Sequence, residues 1–152
     1  MPDITLRKID ATNYADAMKL KVDDSQKNFV APNEKSLIQS AYEAPDESIP
    51  YGIYDGETMV GFLLVTSDED TPDSYWVWRL MVDANHQKKG YGRATMQKLI
   101  ADLTTEAKYK HLSLSYVPEN EVAQKFYTGL GFVEEGLKEE WGEIVAHYDL
   151  ST

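Results

Sequence analysis

Apolar and polar positions alternate over Ile4-Thr5-Leu6-Arg7-Lys8-Ile9, and this period of two predicts a first strand. A helix is expected over roughly Asn13 to Lys21, with Asp10 or Thr12 as its cap. Asp23 to Pro32 lacks periodicity and reads as loop, after which Asn33 should cap a second helix running to about Tyr42 and ended by Ala44-Pro45. Tyr51–Tyr54 and Met59–Val65 flank Asp55-Gly56, a hairpin signal, and the acidic run Ser67 to Ser74 reads as an exposed, solvated connection.

Trp76-Val77-Trp78-Arg79-Leu80-Met81-Val82 is a continuous apolar run too short for a helix, and it predicts a buried central strand. Gly92, Met96, Leu99, Ile100 and Leu103 then recur at helical spacing over about 14 residues. Leu112–Val117 is the next strand. Asn120 should cap a helix whose buried stripe is Val122, Phe126 and Leu130 with Ala123 and Tyr127, and Gly129 and Gly131 should end it. Phe132–Glu135 and Ile144–Leu150 close the chain as strands around a turn at Gly142.

Candidate chemistry concentrates between the central strand and its helix, in Gln87-Lys88-Lys89-Gly90-Tyr91-Gly92-Arg93. The first N–H groups of a helix have no intrahelical partner and sit at the positive end of the dipole. Gly90 and Gly92 would let a phosphate approach the main chain, and Lys88, Lys89 and Arg93 surround it with positive charge. A Walker loop is excluded because one residue, not four, separates the glycines and Arg93-Ala94 follows them. A dinucleotide fingerprint is excluded because position 95 is Thr.

Composition narrows the class. The 152 residues suit one domain, 1–152, with one core. The chain has no cysteine, which rules out a disulfide framework, a protein thiolate and cysteine zinc sites, and fits a reducing compartment. No apolar run approaches the roughly 20 residues of a membrane span and Met1-Pro2-Asp3 begins no signal peptide, so a cytoplasmic location is expected. The formal charge of −11 disfavours nucleic acid and anionic membranes as partners and favours cations. A basic loop inside an acidic chain suggests one phosphate-bearing ligand and one cationic ligand.

Gln87-x-x-Gly90-x-Gly92 resembles the pyrophosphate loop of the GCN5-related N-acetyltransferases. Asn120-x-x-Ala123-x-x-x-Tyr127-x-x-x-Gly131-Phe132 is similar to the second half of the same signature, in the right order and after the expected strand. The resemblance covers about residues 3 to 150. It implies an α/β fold with a central mixed, mostly antiparallel, twisted sheet of about seven strands flanked by about four helices. It also implies acetyl transfer from acetyl-CoA to an amine without a metal, and leaves a homodimer open. Leu80, Met81 and Val82 would present main-chain groups to the pantetheine arm and thioester, lying along the strand like an added strand. The main chain from Gln87 to Arg93 would hold the pyrophosphate, including Tyr91. Asn120 would bond the pantetheine, and the phenol of Tyr127 would protonate the departing sulfur.

The chain departs from its relatives at the general base. In the polyamine-acetylating branch a carboxylate commonly stands nine residues before the loop glutamine, and here that residue is Trp78. Either a carboxylate from elsewhere acts through water or the amine binds already deprotonated. Asp83 reads as a turn former, and His86, His111 and His147 are isolated in sequence. Asp23-Asp24 and Lys138–Glu143 could line a groove for an extended polycation, and the central and C-terminal segments are similar to bacterial spermine/spermidine acetyltransferases. An aminoglycoside-like amine, a protein N-terminus or a non-catalytic acyl-CoA sensor are the other readings.

Overall fold

The structure is a computed structural model and describes residues 2–151. Its elements run β1 (Thr5–Lys8), α1 (Tyr14–Lys19), α2 (Asn33–Glu43), β2 (Ser48–Asp55), β3 (Thr58–Ser67), β4 (Ser74–Val82), α3 (Tyr91–Glu106), β5 (His111–Tyr116), α4 (Glu121–Gly129), β6 (Val133–Lys138) and β7 (Glu143–Asp149). Short 3₁₀ turns at Asp24–Gln26 and Ala84–His86 interrupt two of the loops. The strands form one sheet in the order β1-β2-β3-β4-β5-β7-β6. Every pair is antiparallel except β4 and β5, whose connection through α3 is long enough for a parallel crossover. The expected mixed, mostly antiparallel seven-stranded α/β sheet with four helices is therefore the observed one.

Two apolar layers sandwich the sheet. On the α3/α4 side Leu63, Val77, Met96, Leu99, Leu112, Leu114 and Phe132 are buried in one cluster. On the α1/α2 side Ala17, Tyr54, Phe62, Leu64 and Met81 form another. β3, buried over seven consecutive residues, supplies both. A strand covered on both faces reads as a continuous apolar run, which is why its sequence shows no alternation.

Three details differ from expectation. The cap position of α1 is Asn13 rather than Asp10 or Thr12, and the Asp10 carboxylate accepts from Thr12 N at 2.8 Å. Asn33 is the first residue of α2, with Pro32 in the cap position. Its buried amide instead donates to the Ala17 carbonyl at 2.8 Å and ties α2 to α1. In α4 the stripe is only half-buried, and Val122 is 63% exposed. That helix lies over an opening in the sheet rather than over a filled core.

The opening has a local cause. β4 and β5 pair only at Ser74–Trp76 with His111–Ser113. Just beyond, the β3–β4 register slips, with Leu64 facing Arg79 and Val65 facing Val77, so that Trp78 is the extra residue of a bulge. A bulge bends its strand and increases its twist. From Trp78 to Val82 the β5-facing edge of β4 is unpaired.

Asp83 fastens the far end of this edge. It is buried, and its carboxylate accepts from Lys21 N at 2.9 Å and Asn85 N at 3.2 Å. Asp83→Ala strands the amide of Lys21 and is expected to cost about 1–3 kcal/mol. For a domain of this size that lowers Tm by several degrees in thermal denaturation, at roughly 2–4 °C per kcal/mol.

Candidate active site

A cleft of about 1080 Å³ runs through the gap between β4 and β5 and out onto the α1/α2 side. It brings together residues far apart in sequence: Trp76 to Val82, Gln87 to Arg93 in part, Leu114 to Val117, and Asn120, Ala123, Phe126 and Tyr127 from α4.

At one end lies the loop into α3. Gln87 donates from Nε2 to the Val82 carbonyl at 3.0 Å, closing the loop onto the end of its strand and occupying one lone pair of Val82. Lys88 and Gly90 have φ of 64° and 84°, a left-handed geometry that glycine adopts freely and lysine at a cost. Gly90 occupies the cap position of α3. Among the described residues no hydrogen bond satisfies the backbone N–H groups from Lys88 to Arg93, whereas the next, Ala94, bonds the Gly90 carbonyl at 3.0 Å. These donors meet the positive end of a 16-residue helix. Lys88, Lys89 and Arg93 are exposed beside them.

The roles of the glycines differ from simple clearance. Among the described residues a Cβ on Gly90 would meet only Pro2, at 3.4 Å, so the position calls for glycine through its backbone angle. A Cβ on Gly92 would come within 3.3 Å of the Phe126 ring, so this glycine lets α3 approach α4. Tyr91 turns away: its side chain is buried and its hydroxyl donates to Asp55 at 2.5 Å, leaving only its main chain to the loop. Lys89 is the one residue of the loop that does not line the cleft.

In the middle of the cleft Leu80, Met81 and Val82 carry the unpaired strand edge, although β3 occupies their other edge. Across the gap, Asn120 caps α4 by accepting from Ala123 N at 3.2 Å, which leaves its amide nitrogen unengaged among the described residues. Tyr127 packs against Tyr116 with ring centroids 6.0 Å apart and planes 7° from parallel, and against Phe126 and Phe132 at 5.0 and 5.7 Å. The Tyr116 hydroxyl is committed to Glu134 at 2.8 Å, while that of Tyr127 has no partner among the described residues. Burial, then the neighbouring Tyr116, raises the Tyr127 phenol well above its ordinary value.

The other end is aromatic and acidic. Trp76, Trp78 and Trp141 line it together with Glu47, Asp68 and Glu143. Trp76 Nε1 donates to Thr71 Oγ1 at 2.8 Å, so the acidic connection positions an indole and its Asp68 faces the cleft. Nothing in the sequence of that loop separates this role from solvation. Arg79 is held by the Trp78 carbonyl and Gln39 Oε1, both at 2.9 Å, and its Nε is buried without a partner among the described residues. Burial lowers its pKa, and Glu143 and Glu43 partly oppose this.

Several candidates lie elsewhere. Asp23 and Asp24 do not line the cleft; the Asp23 carboxylate is taken by Ser25, at 2.6 Å from its hydroxyl. Asp83 is consumed by the turn. His111 and His147 meet edge to face, with ring centroids 5.2 Å apart, outside the cleft, and His147 Nδ1 lies 2.7 Å from Glu135. His86 lines the cleft beside the basic loop, at the end remote from the tryptophans. Trp78 stands at the bulge and lines the cleft.

A split between two central parallel strands, with a basic helix-capping loop at its mouth, is the geometry of a CoA-dependent acyl transferase, and the comparisons agree. Residues 15–132 match the acetyltransferase (GNAT) family. The chain belongs to that family and is an N-acetyltransferase by class. It is 29% identical to a spermine/spermidine N(1)-acetyltransferase of Bacillus subtilis (strain 168) over 147 residues, 93% of this chain and 95% of the relative. It superposes on spermidine N-acetyltransferase from Vibrio cholerae, solved in complex with CoA and spermine, with a TM-score of 0.72 at 18% identity over 95% of this chain and 92% of that one. PaiA N-acetyltransferase from Thermoplasma acidophilum, in complex with coenzyme A, gives 0.71 at 13% identity over 97% and 99%.

Proposed function

We propose that the protein transfers the acetyl group of acetyl-CoA to a primary amine, with a polyamine such as spermine or spermidine as acceptor. The observation that carries this reading is one continuous cleft with an anion-seeking end and a cation-seeking end. The free N–H groups at the start of α3, with Lys88 and Arg93, suit a pyrophosphate. The unpaired edge at Leu80–Val82 suits a pantetheine amide chain, and the amide nitrogen of Asn120 offers it a donor from the opposite wall. The tryptophans, Glu47, Asp68 and Glu143 suit a flexible chain of ammonium groups. The B. subtilis and V. cholerae proteins above support the acceptor class.

In the reaction the neutral amine attacks the thioester carbonyl, a C–N bond forms and the C–S bond breaks with its electron pair on sulfur. Tyr127 supplies the proton that sulfur takes up. Its raised pKa keeps the phenol protonated across the physiological range and beyond the ordinary value of about 10, so the acid is not lost on the alkaline side.

The test is a panel of amines incubated with acetyl-CoA, read as free thiol released. Spermine or spermidine turns over, and acetyl-CoA binding without turnover of any amine would instead indicate an acyl-CoA sensor. KM for the polyamine rises with salt while kcat changes little, because the Debye length falls from about 30 Å at 0.01 M to about 8 Å at 0.15 M. A KM insensitive to salt would argue against recognition by the acidic groove.

A further inference from the structure

We propose that Glu143, on β7, is the carboxylate that takes the acceptor's proton, held in place by Ser115 on β5. This rests on the reading of the protein as an amine acetyltransferase. Trp76 to Val82 contains no acid, so the strand edge along which the thioester would lie supplies no carboxylate of its own.

Three carboxylates line the acceptor end, and their settings differ. Glu47 is exposed in the loop before β2. Asp68 has both oxygens engaged, accepting from Asp70 N at 3.0 Å and from Thr71 Oγ1 at 3.3 Å. Glu143 is half-buried; Ser115 Oγ donates to its Oε1 at 3.3 Å, and its Oε2 has no partner among the described residues. It is also level with the gap. Ile144 pairs with Tyr116, so Glu143 lies opposite the next residue, Val117. Continuing the parallel register from Trp76 and Ser113, and allowing for the extra residue at Trp78, puts Val117 level with Met81, on the edge where the thioester would lie.

Rigid strands, rather than loops, hold both Glu143 and Ser115. The charged groups around the carboxylate are Arg79 from β4, Lys138 as its register partner on β6, Glu43 at the end of α2, and the lining acids Glu47 and Asp68. The Lys138 ammonium is drawn over the Trp141 ring, 4.8 Å from its centroid.

An acceptor ammonium gives one proton to Glu143, and the neutral amine attacks the thioester. The C–N bond forms, the C–S bond breaks, and sulfur is protonated by Tyr127. The second nitrogen proton restores the phenol, and Glu143 releases its own to solvent. Acetyl-CoA and an ammonium thus become an amide, free CoA and one proton.

Glu143→Gln preserves size and leaves CoA affinity unchanged in calorimetry, which confirms folding. At pH 7 an amine of pKa near 10.4 is neutral in only about four molecules in 10⁴, so kcat/KM should fall about 10²- to 10⁴-fold. The deficit should shrink as pH rises toward 10, because each unit supplies about tenfold more free amine. Ser115→Ala should lower kcat about 3- to 10-fold with acceptor KM unchanged; unchanged kcat would remove Ser115 from the assignment. A Gln variant with wild-type kcat/KM at pH 7, or one whose loss lies only in KM and is the same at every pH, overturns Glu143 as the base while amine acetylation by the wild type stands. No turnover by the wild type would end both readings.

Discussion

Tyr127→Phe lowers kcat about 10²- to 10⁴-fold and leaves CoA affinity nearly unchanged, the size expected for loss of a positioned general acid. The ring keeps its stack on Tyr116 and its contacts with Phe126 and Phe132, so Tm should move little. The hydroxyl that is removed has no partner among the described residues, and its loss leaves no orphaned donor or acceptor. The proton is needed only as the thiolate leaves, so the effect belongs in kcat rather than in acetyl-CoA KM, provided chemistry limits turnover. Single-turnover measurements establish that condition. A Phe variant with wild-type single-turnover rate would leave water or the amine to protonate the sulfur, and Tyr127 would be a wall of the cleft.

Gly90→Val weakens CoA binding about 10- to 100-fold. A β-branched side chain resists the φ of 84° found there, where even an unbranched residue pays roughly 1–2 kcal/mol. The cap turns to a new geometry, and the free N–H groups after it no longer converge. Each charge-assisted hydrogen bond to a phosphate contributes about 1.5–3 kcal/mol, and 1.4 kcal/mol is tenfold in affinity, so misplacing one of them reaches the stated range. The residue is exposed and, among the described residues, has only Pro2 near its Cβ direction, so the loss should appear in CoA titrations while the far-UV circular dichroism stays native. Gly92→Val is a poorer probe of the same idea, because its Cβ presses on Phe126 and disturbs the α3–α4 contact as well. Undiminished CoA affinity in Gly90→Val would mean that the loop does not hold the pyrophosphate.

Element order and the glycine turn that enters α3 were legible in the sequence because both rest on local physics. Apolar runs of strand length, helical spacing after Gly92 and a capping residue at Asn120 depend on near neighbours, and these elements form where expected. The glycine spacing in Gln87–Arg93 likewise describes one turn entering one helix. Val122 was read as buried because a stripe specifies which residues face inward and not whether anything fills the space they face.

The aromatic and acidic end of the cleft was decided by tertiary structure alone. Asp68 stands in a run that reads as solvated loop, and Glu143 is more than 60 residues from the strand whose missing acid it would replace. Glu143 reaches the cleft because sheet order sets β7 beside β5, and Asp68 because the bond from Trp76 to Thr71 holds its connection against the indole. Asp23 and Asp24, equally acidic, face elsewhere. Charge and residue type specify what a side chain can do, whereas the register of a sheet and the splay of two strands specify what it can reach. Those are properties of pairings between distant segments, which no local pattern encodes.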